Sequence, residues 1–169
     1  MREHLQPLAS DGDGFVLDLA DRRAIERERA HYAQPQAACI EALKIVQRRH
    51  GWVPDGAIIA IADTLGIGPA EVEGVATFYS LIFRRPVGRH VILLCDSSSC
   101  FLGGHEAVRD ALSRQLGLDF GETTADGRFT LLPVCCLGAC DGAPALMIDD
   151  DTYGPVATED VMELLERYP

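Results

Sequence analysis

Apolar positions recur at helical spacing through the first half of the chain and gather into short unbroken runs in the second. From Asp18, LADRRAIERERAHY sets Leu19, Ile25 and Tyr32 among dense charges, which predicts a helix lying on a surface. QPQAACIEALKIVQRRHG follows with an apolar stripe of Ala38, Cys39, Ala42, Leu43, Ile45 and Val46. Pro35 suits the first turn of that helix and Gly51 the position just past its end. VPDGAIIAIADTLG repeats the scheme with Gly66 as its stop. GPAEVEGVATFYSLIF opens on Pro69 and carries Val72, Val75, Ala76 and Tyr79. Residues 18–83 therefore read as about four short helices that bury their stripes against one another.

The pattern changes at FRRPVGRH, where Arg84, Arg85, Pro86 and Gly88 form a short hinge. HVILLC is an uninterrupted β-prone run of the kind found in a strand buried on both faces. HEAVRDALSRQLG is helical and closes on Gly117; FTLLPV and ALMID read as two further strands. Asp149 to Tyr153 suits a turn, TYGPVA a fourth strand, and TEDVMELLERY a final helix capped by Thr158 with Glu159 and Asp160 in its acidic first turn. The expected organisation is a flexible N-terminus over residues 1–17, a helical bundle over 18–85, and an α/β unit with a small sheet over 86–169.

Composition narrows the picture. The 169 residues are 47% apolar and 24% charged, enough for a core that needs no covalent staple. A formal net charge of −11 argues against a nucleic-acid binder, which needs a basic face to neutralise phosphates. The opening MREHLQPLASDGDG lacks the apolar centre of a signal peptide, and no apolar run approaches the ~20 residues of a membrane span. A cytoplasmic location is expected. Disulfides are rare there, so clustered cysteines point to metal binding or catalysis.

Six cysteines supply the candidate chemistry. Cys39 lies on a helical stripe and reads as a small buried hydrophobe. Cys95 and Cys100 bound CDSSSC, with Cys95 ending a strand and Cys100 in the loop before the next helix. Cys136 and Cys140 bound CLGAC, again just past a strand. If the two strands are neighbours, four thiolates can converge. The gaps of four and three residues suit a dinuclear iron–sulfur cluster, in which each iron takes two thiolates, better than a compact zinc knuckle. Ser97, Ser98, Ser99, Gly103, Gly104, Gly138 and Ala139 let backbone N–H groups approach the sulfurs. A structural zinc site and a thiol–disulfide oxidoreductase are the alternatives, the latter weakened by the lack of a two-residue gap in either pair. Spacing permits either Cys135 or Cys136 as a ligand; on an extended segment the two point to opposite faces.

Several stretches carry a resemblance: IEALKIVQRRHGWVPDGAI, LGIGPAEVEGVATFYSLIFRRPVGRHVI, CDSSSC, GETTADGRFTLLPVCCLGACDGAP and LLERYP. Together they resemble the 24-kDa iron–sulfur subunits of bacterial NADH:quinone oxidoreductase, respiratory complex I. The resemblance covers nearly the whole chain beyond about residue 15. It implies a helical bundle followed by a thioredoxin-like domain, a layout with which the element order is compatible. It implies one 2Fe–2S cluster on Cys95, Cys100, Cys136 and Cys140, selecting Cys136 over Cys135. It further implies a partner subunit that binds NADH and FMN, contact with the large iron–sulfur subunit, and a place in the peripheral arm on the cytoplasmic side of the inner membrane. The cluster would lie near that flavin, off the main path to quinone. Related subunits of NAD-dependent hydrogenases and formate dehydrogenases are the runners-up. Many members of the family carry His after the second ligand, where this chain has Phe101.

Other features have simpler readings. The aromatics Phe78, Tyr79 and Phe83 are expected in the helix core, RRPVGR in a solvated hinge, and His90 and His105 at a surface or strand edge. Asp149–Asp151 reads as a polar turn, and GGH lacks the strand–glycine loop–helix context of a nucleotide site.

Overall fold

A computed structural model describes residues 15–169; of the N-terminus expected to be flexible over 1–17, residues 1–14 lie outside the described residues, and Leu17 is buried rather than flexible. The chain divides into two compact units, Met1–Pro86 and Val87–Pro169.

The first unit is helical: α1 Leu19–Ala30, α2 Cys39–His50, α3 Asp55–Leu65 and α4 Pro69–Phe78. Asp18 caps α1, its carboxylate accepting the Ala20 N–H at 2.6 Å. Pro35 opens a single 3-10 turn, Pro35–Ala38, that leads into α2. Gly51 ends α2 in the left-handed region at φ 79°, a conformation that costs an L side chain about 1 kcal/mol or more. The stripes converge: Ile25, Leu43, Val46, Ile61, Leu65 and Val72 are fully buried, each contributing roughly 1.5–3 kcal/mol of transfer free energy. Cys39 is buried among them, and Leu17, just before α1, joins the same core.

Two expectations fail at the end of this unit, for one reason. The fourth helix stops at Phe78 instead of running to Phe83. Its continuation is taken by other partners: the Gln47 amide donates to the Leu81 carbonyl at 2.8 Å and accepts the Phe83 N–H at 2.7 Å, while the Val53 N–H donates to the Phe83 carbonyl at 2.8 Å. Phe78 and Tyr79 are consequently exposed, at 79% and 43%, rather than packed in the core. Nor is Arg84 a solvated hinge residue. Its guanidinium is largely buried, donates to the Val53 carbonyl, and reaches Asp55 at 2.6 Å and Glu73 at 2.9 Å. It ties the start of α3 and the body of α4 to the segment that follows.

The second unit holds β1 His90–Cys95, α5 Ser98–Leu102, α6 His105–Leu116, β2 Phe129–Val134, β3 Leu146–Ile148, β4 Asp151–Tyr153 and α7 Val161–Glu166. The sheet order is β2-β1-β3-β4. β1 pairs parallel with β2, a pairing that requires a crossover, and α6 supplies it; β3 pairs antiparallel with β1 and with β4. α6 packs on β1 and against α7. Ile92, Leu94, Phe129, Leu131, Leu146 and Ile148 form the centre of this core.

The expected α/β order holds, with local corrections. Cys100 lies in the short helix α5 rather than in a loop. The fourth strand is Asp151–Tyr153 and does not extend to Ala157. The polar turn therefore tightens to Asp149–Asp150, with Asp149 at φ 53° and its carboxylate accepting the Val91 N–H at 2.9 Å. The last helix begins at Val161 without a side-chain cap; the Thr158 hydroxyl donates to Glu159 instead. Among the described residues no helix is long and apolar enough to cross a membrane.

Candidate metal centre

The register of the parallel pair decides where the cysteines go. Cys95, the last residue of β1, stands opposite Val134, the last residue of β2. Both ligand loops therefore leave the sheet at the same level on neighbouring strands, the condition under which thiols separated by about forty residues can meet.

Each pair has its own environment. Cys95 and Cys100 are buried, at 2% and 1% exposure, in a small cluster with Ala145, flanked by Val134, Leu137, Ala139 and Ala143. Cys136 and Cys140 are exposed, with their Sγ atoms 3.9 Å apart. Two thiolates on one tetrahedral metal at about 2.3 Å would stand about 3.8 Å apart, so this pair needs almost no adjustment to share an ion. Among the described residues no group of three or more His, Cys, Asp or Glu that could hold a metal ion is found, so the structure does not gather the four thiols around one point. The thiols stand two and two, without a carboxylate or imidazole in the set. That donor set fits a dinuclear iron–sulfur cluster.

Backbone N–H groups point at the sulfurs. The Gly138 N–H donates to Cys136 Sγ at 3.4 Å, an approach that Gly138 permits through its φ of 78°. Burial pushes the Cys95 thiol up, but the N–H groups of Ser97 and Leu137 and the Cys100 side chain act against it, and the net shift is down. At Cys100 burial dominates and the thiol is raised, despite the Ala145 N–H. Cys140 is raised chiefly by its hydrogen bond with Cys136 and that group's charge, and it also feels the charge of Cys95. The two loops are thus within electrostatic reach of each other.

Cys135 is exposed and lies just past β2. Its carbonyl accepts from the Cys95 thiol at 3.6 Å. Between the adjacent cysteines, Cys136 is the one beside Cys140.

Three residues support the ligand loops, and of these sequence reasoning misplaced His105. Cys100 is presented by α5, whose following Gly103 passes so close to the next segment that a Cβ would stand 3.2 Å from Ala143 C and Pro144 N. His105 is not a surface residue but is 5% exposed, with its ring Nδ1 2.9 Å from the Cys95 carbonyl. Phe101 stacks on that ring. The Gly103–Gly104 pair just before His105 was the available signal, since it lets helix α6 start close against the ligand loop.

Three comparisons bear on this arrangement. Residues 25–169 match the family model of the thioredoxin-like [2Fe-2S] ferredoxin. A relative from Pseudomonas aeruginosa, named as the E subunit of NADH-quinone oxidoreductase, is 64% identical over 156 residues, covering 92% of this chain and 94% of the relative. A relative of the same name from Escherichia coli (strain K12) is 58% identical over 168 residues, covering 99% of each. Among solved structures, an NAD+-reducing [NiFe]-hydrogenase in its air-oxidized state aligns with a TM-score of 0.62 at 23% identity, over 79% of this chain and 22% of that one. That last likeness speaks to the fold alone.

Proposed function

The chain belongs to the thioredoxin-like [2Fe-2S] ferredoxin family, and from that premise we propose that Cys95, Cys100, Cys136 and Cys140 hold one 2Fe–2S cluster in an electron-transfer subunit of NADH:quinone oxidoreductase. The observation that carries the ligand set is the meeting of two cysteine loops at the common end of β1 and β2, with N–H groups directed at sulfur. When bound, the cluster supplies one-electron exchange with the flavin of a partner subunit.

This chain's residues bind and tune. Each ligand must give up its thiol proton, and the N–H groups of Ser97, Leu137, Gly138 and Ala145 favour the charged sulfur. The buried Cys95–Cys100 side excludes water, while the exposed Cys136–Cys140 side faces outward. The relatives' names make the chain a subunit of a larger complex, and the partner proposed from the family resemblance is its NADH- and FMN-binding subunit, with the large iron–sulfur subunit as a further neighbour. The place is the peripheral arm on the cytoplasmic side of the membrane. The helical unit and the sheet unit act as separate domains, the first carrying no ligand. The hydrogenase-type reading ranks second, because near-full-length relatives at 58% identity and above carry the quinone oxidoreductase name.

The test is a pair of variants in the assembled complex. Cys136→Ala is expected to abolish the cluster's low-temperature electron paramagnetic resonance (EPR) signal, and Cys135→Ala to retain it. The reverse result overturns the ligand assignment.

A further inference from the structure

Cys95 is the terminal residue of β1, where the ladder no longer fixes the chain on its own. Its N–H donates to the Ala145 carbonyl at 3.1 Å, and the next N–H, of Asp96, donates to the Val134 carbonyl at 3.0 Å. The Cys95 carbonyl is held by a side chain, His105, at 2.9 Å. A carbonyl can only accept, so the proton sits on His105 Nδ1 and the tautomer is set by this contact. The ring stacks with Phe101, adjacent to Cys100, and with Phe120, each at a centroid distance of 6.3 Å and interplanar angles of 27° and 25°. One buried imidazole thus grips the backbone of the first cysteine and the helical turn that carries the second.

The geometry points to His105 as a positioning residue that fixes Cys95 and Cys100 relative to each other and thereby tunes the cluster; this rests on the ligand set proposed above. The physical route is short. Without the Nδ1 donor, the Cys95 carbonyl loses its buried partner, and a buried acceptor left unpaired drives local rearrangement. The Cys95 sulfur then shifts against the N–H groups of Ser97 and Leu137, which stabilise added negative charge on the sulfurs. Weaker N–H donation disfavours the reduced state, so the potential moves to more negative values.

The test uses the full chain with its cluster reconstituted. His105→Leu removes the donor. His105→Asn keeps an N–H near the Nδ1 position, and His105→Gln places it nearer Nε2. Relative to wild type, His105→Leu is expected to lose iron to a chelator about tenfold faster, in line with the 10–100-fold effects of outer partners at metal sites. It is also expected to shift the potential negatively and alter the EPR g-values. His105→Asn should restore all three toward wild type. A His105→Leu protein with wild-type release rate, spectrum and potential overturns the inference. If His105→Leu does not fold, the Asn and Gln variants decide: Gln perturbed and Asn near wild type supports the positioning role, and equal behaviour overturns it. Cys95→Ala, run in parallel, separates the two claims. A retained cluster there defeats the ligand assignment, whatever the His105 variants do.

Discussion

Cys39 and Cys95 are both almost fully buried, at 1% and 2% exposure, yet their thiols move in opposite directions. In the helical unit, burial and the nearby Glu71 charge push Cys39 up to about 11. In the sheet unit, burial also pushes Cys95 up, but N–H groups from two loops and the Cys100 side chain outweigh it. Burial makes a cysteine inert only when nothing polar is aimed at the sulfur. At Cys39, the first residue of α2, burial and the Glu71 charge act on the sulfur and both raise it. At Cys95, the last residue of β1, the N–H groups of Ser97 and Leu137 act on the sulfur and lower it.

The largest expected effect is on the cluster itself. Cys95→Ala should remove it, read as loss of both iron and acid-labile sulfide, whereas Cys39→Ala should keep the full complement. Iron lost from Cys39→Ala would mean that the two buried cysteines do not differ as described. A second contrast separates the exposed and buried pairs. In the cluster-free protein, iodoacetamide should modify Cys136 and Cys140 at least ~10-fold faster than Cys95 and Cys100, followed by peptide mass spectrometry. Equal rates would show that the ligand loops are open on both sides.

The third effect is a pH dependence specific to the helical unit. The folded-state value of Cys39 lies above its ordinary 9.0, at about 11. Its contribution to stability is fully present below about pH 9 and is lost as pH rises through 11. A rise from 9.0 to about 11 corresponds to roughly 2–3 kcal/mol. Denaturant titrations between pH 9 and 11 should show wild type losing that much more stability than Cys39→Ala; parallel curves would remove the desolvation argument. The smallest effect compares two glycines of equal geometry. Gly51 and Gly138 sit at φ 79° and 78°. Alanine at either should cost about 1 kcal/mol. Only Gly138→Ala should speed iron release to a chelator, because only that N–H is directed at a ligand sulfur. Equal release from both variants would detach the loop's conformation from the sulfur's environment.

Much of the architecture was legible because it follows from local rules. Pro69 and Gly66 mark helix ends through their fixed or permissive backbone, and HVILLC reads as a buried strand through its unbroken apolar run. Where an element's partner lies far along the chain, the local reading failed. GVATFYSLIF looks helical to its end, but Gln47 and Val53 take the backbone groups that would have continued it. Arg84 looks like a hinge residue until Val53, Asp55 and Glu73 close around it. His105 has no periodic signature of burial; Cys95, ten residues earlier, gives it a partner.

For the candidate site the division is similar. The sequence by itself determined the donor types, their grouping into two loops after two strands, and the small residues between them. Spacing left Cys135 and Cys136 equivalent, because a one-residue change is within the tolerance of either pairing, and it was the family resemblance that selected Cys136. Only the tertiary structure decided that β1 and β2 are parallel neighbours in a register that brings their ends level. Only it decided which thiols are buried, which N–H groups meet sulfur, and that Cys136 stands beside Cys140. Donor chemistry belongs to residues and is written in the chain. Register, burial and hydrogen-bond direction belong to pairs of segments brought together by the core, and exist only once it has formed.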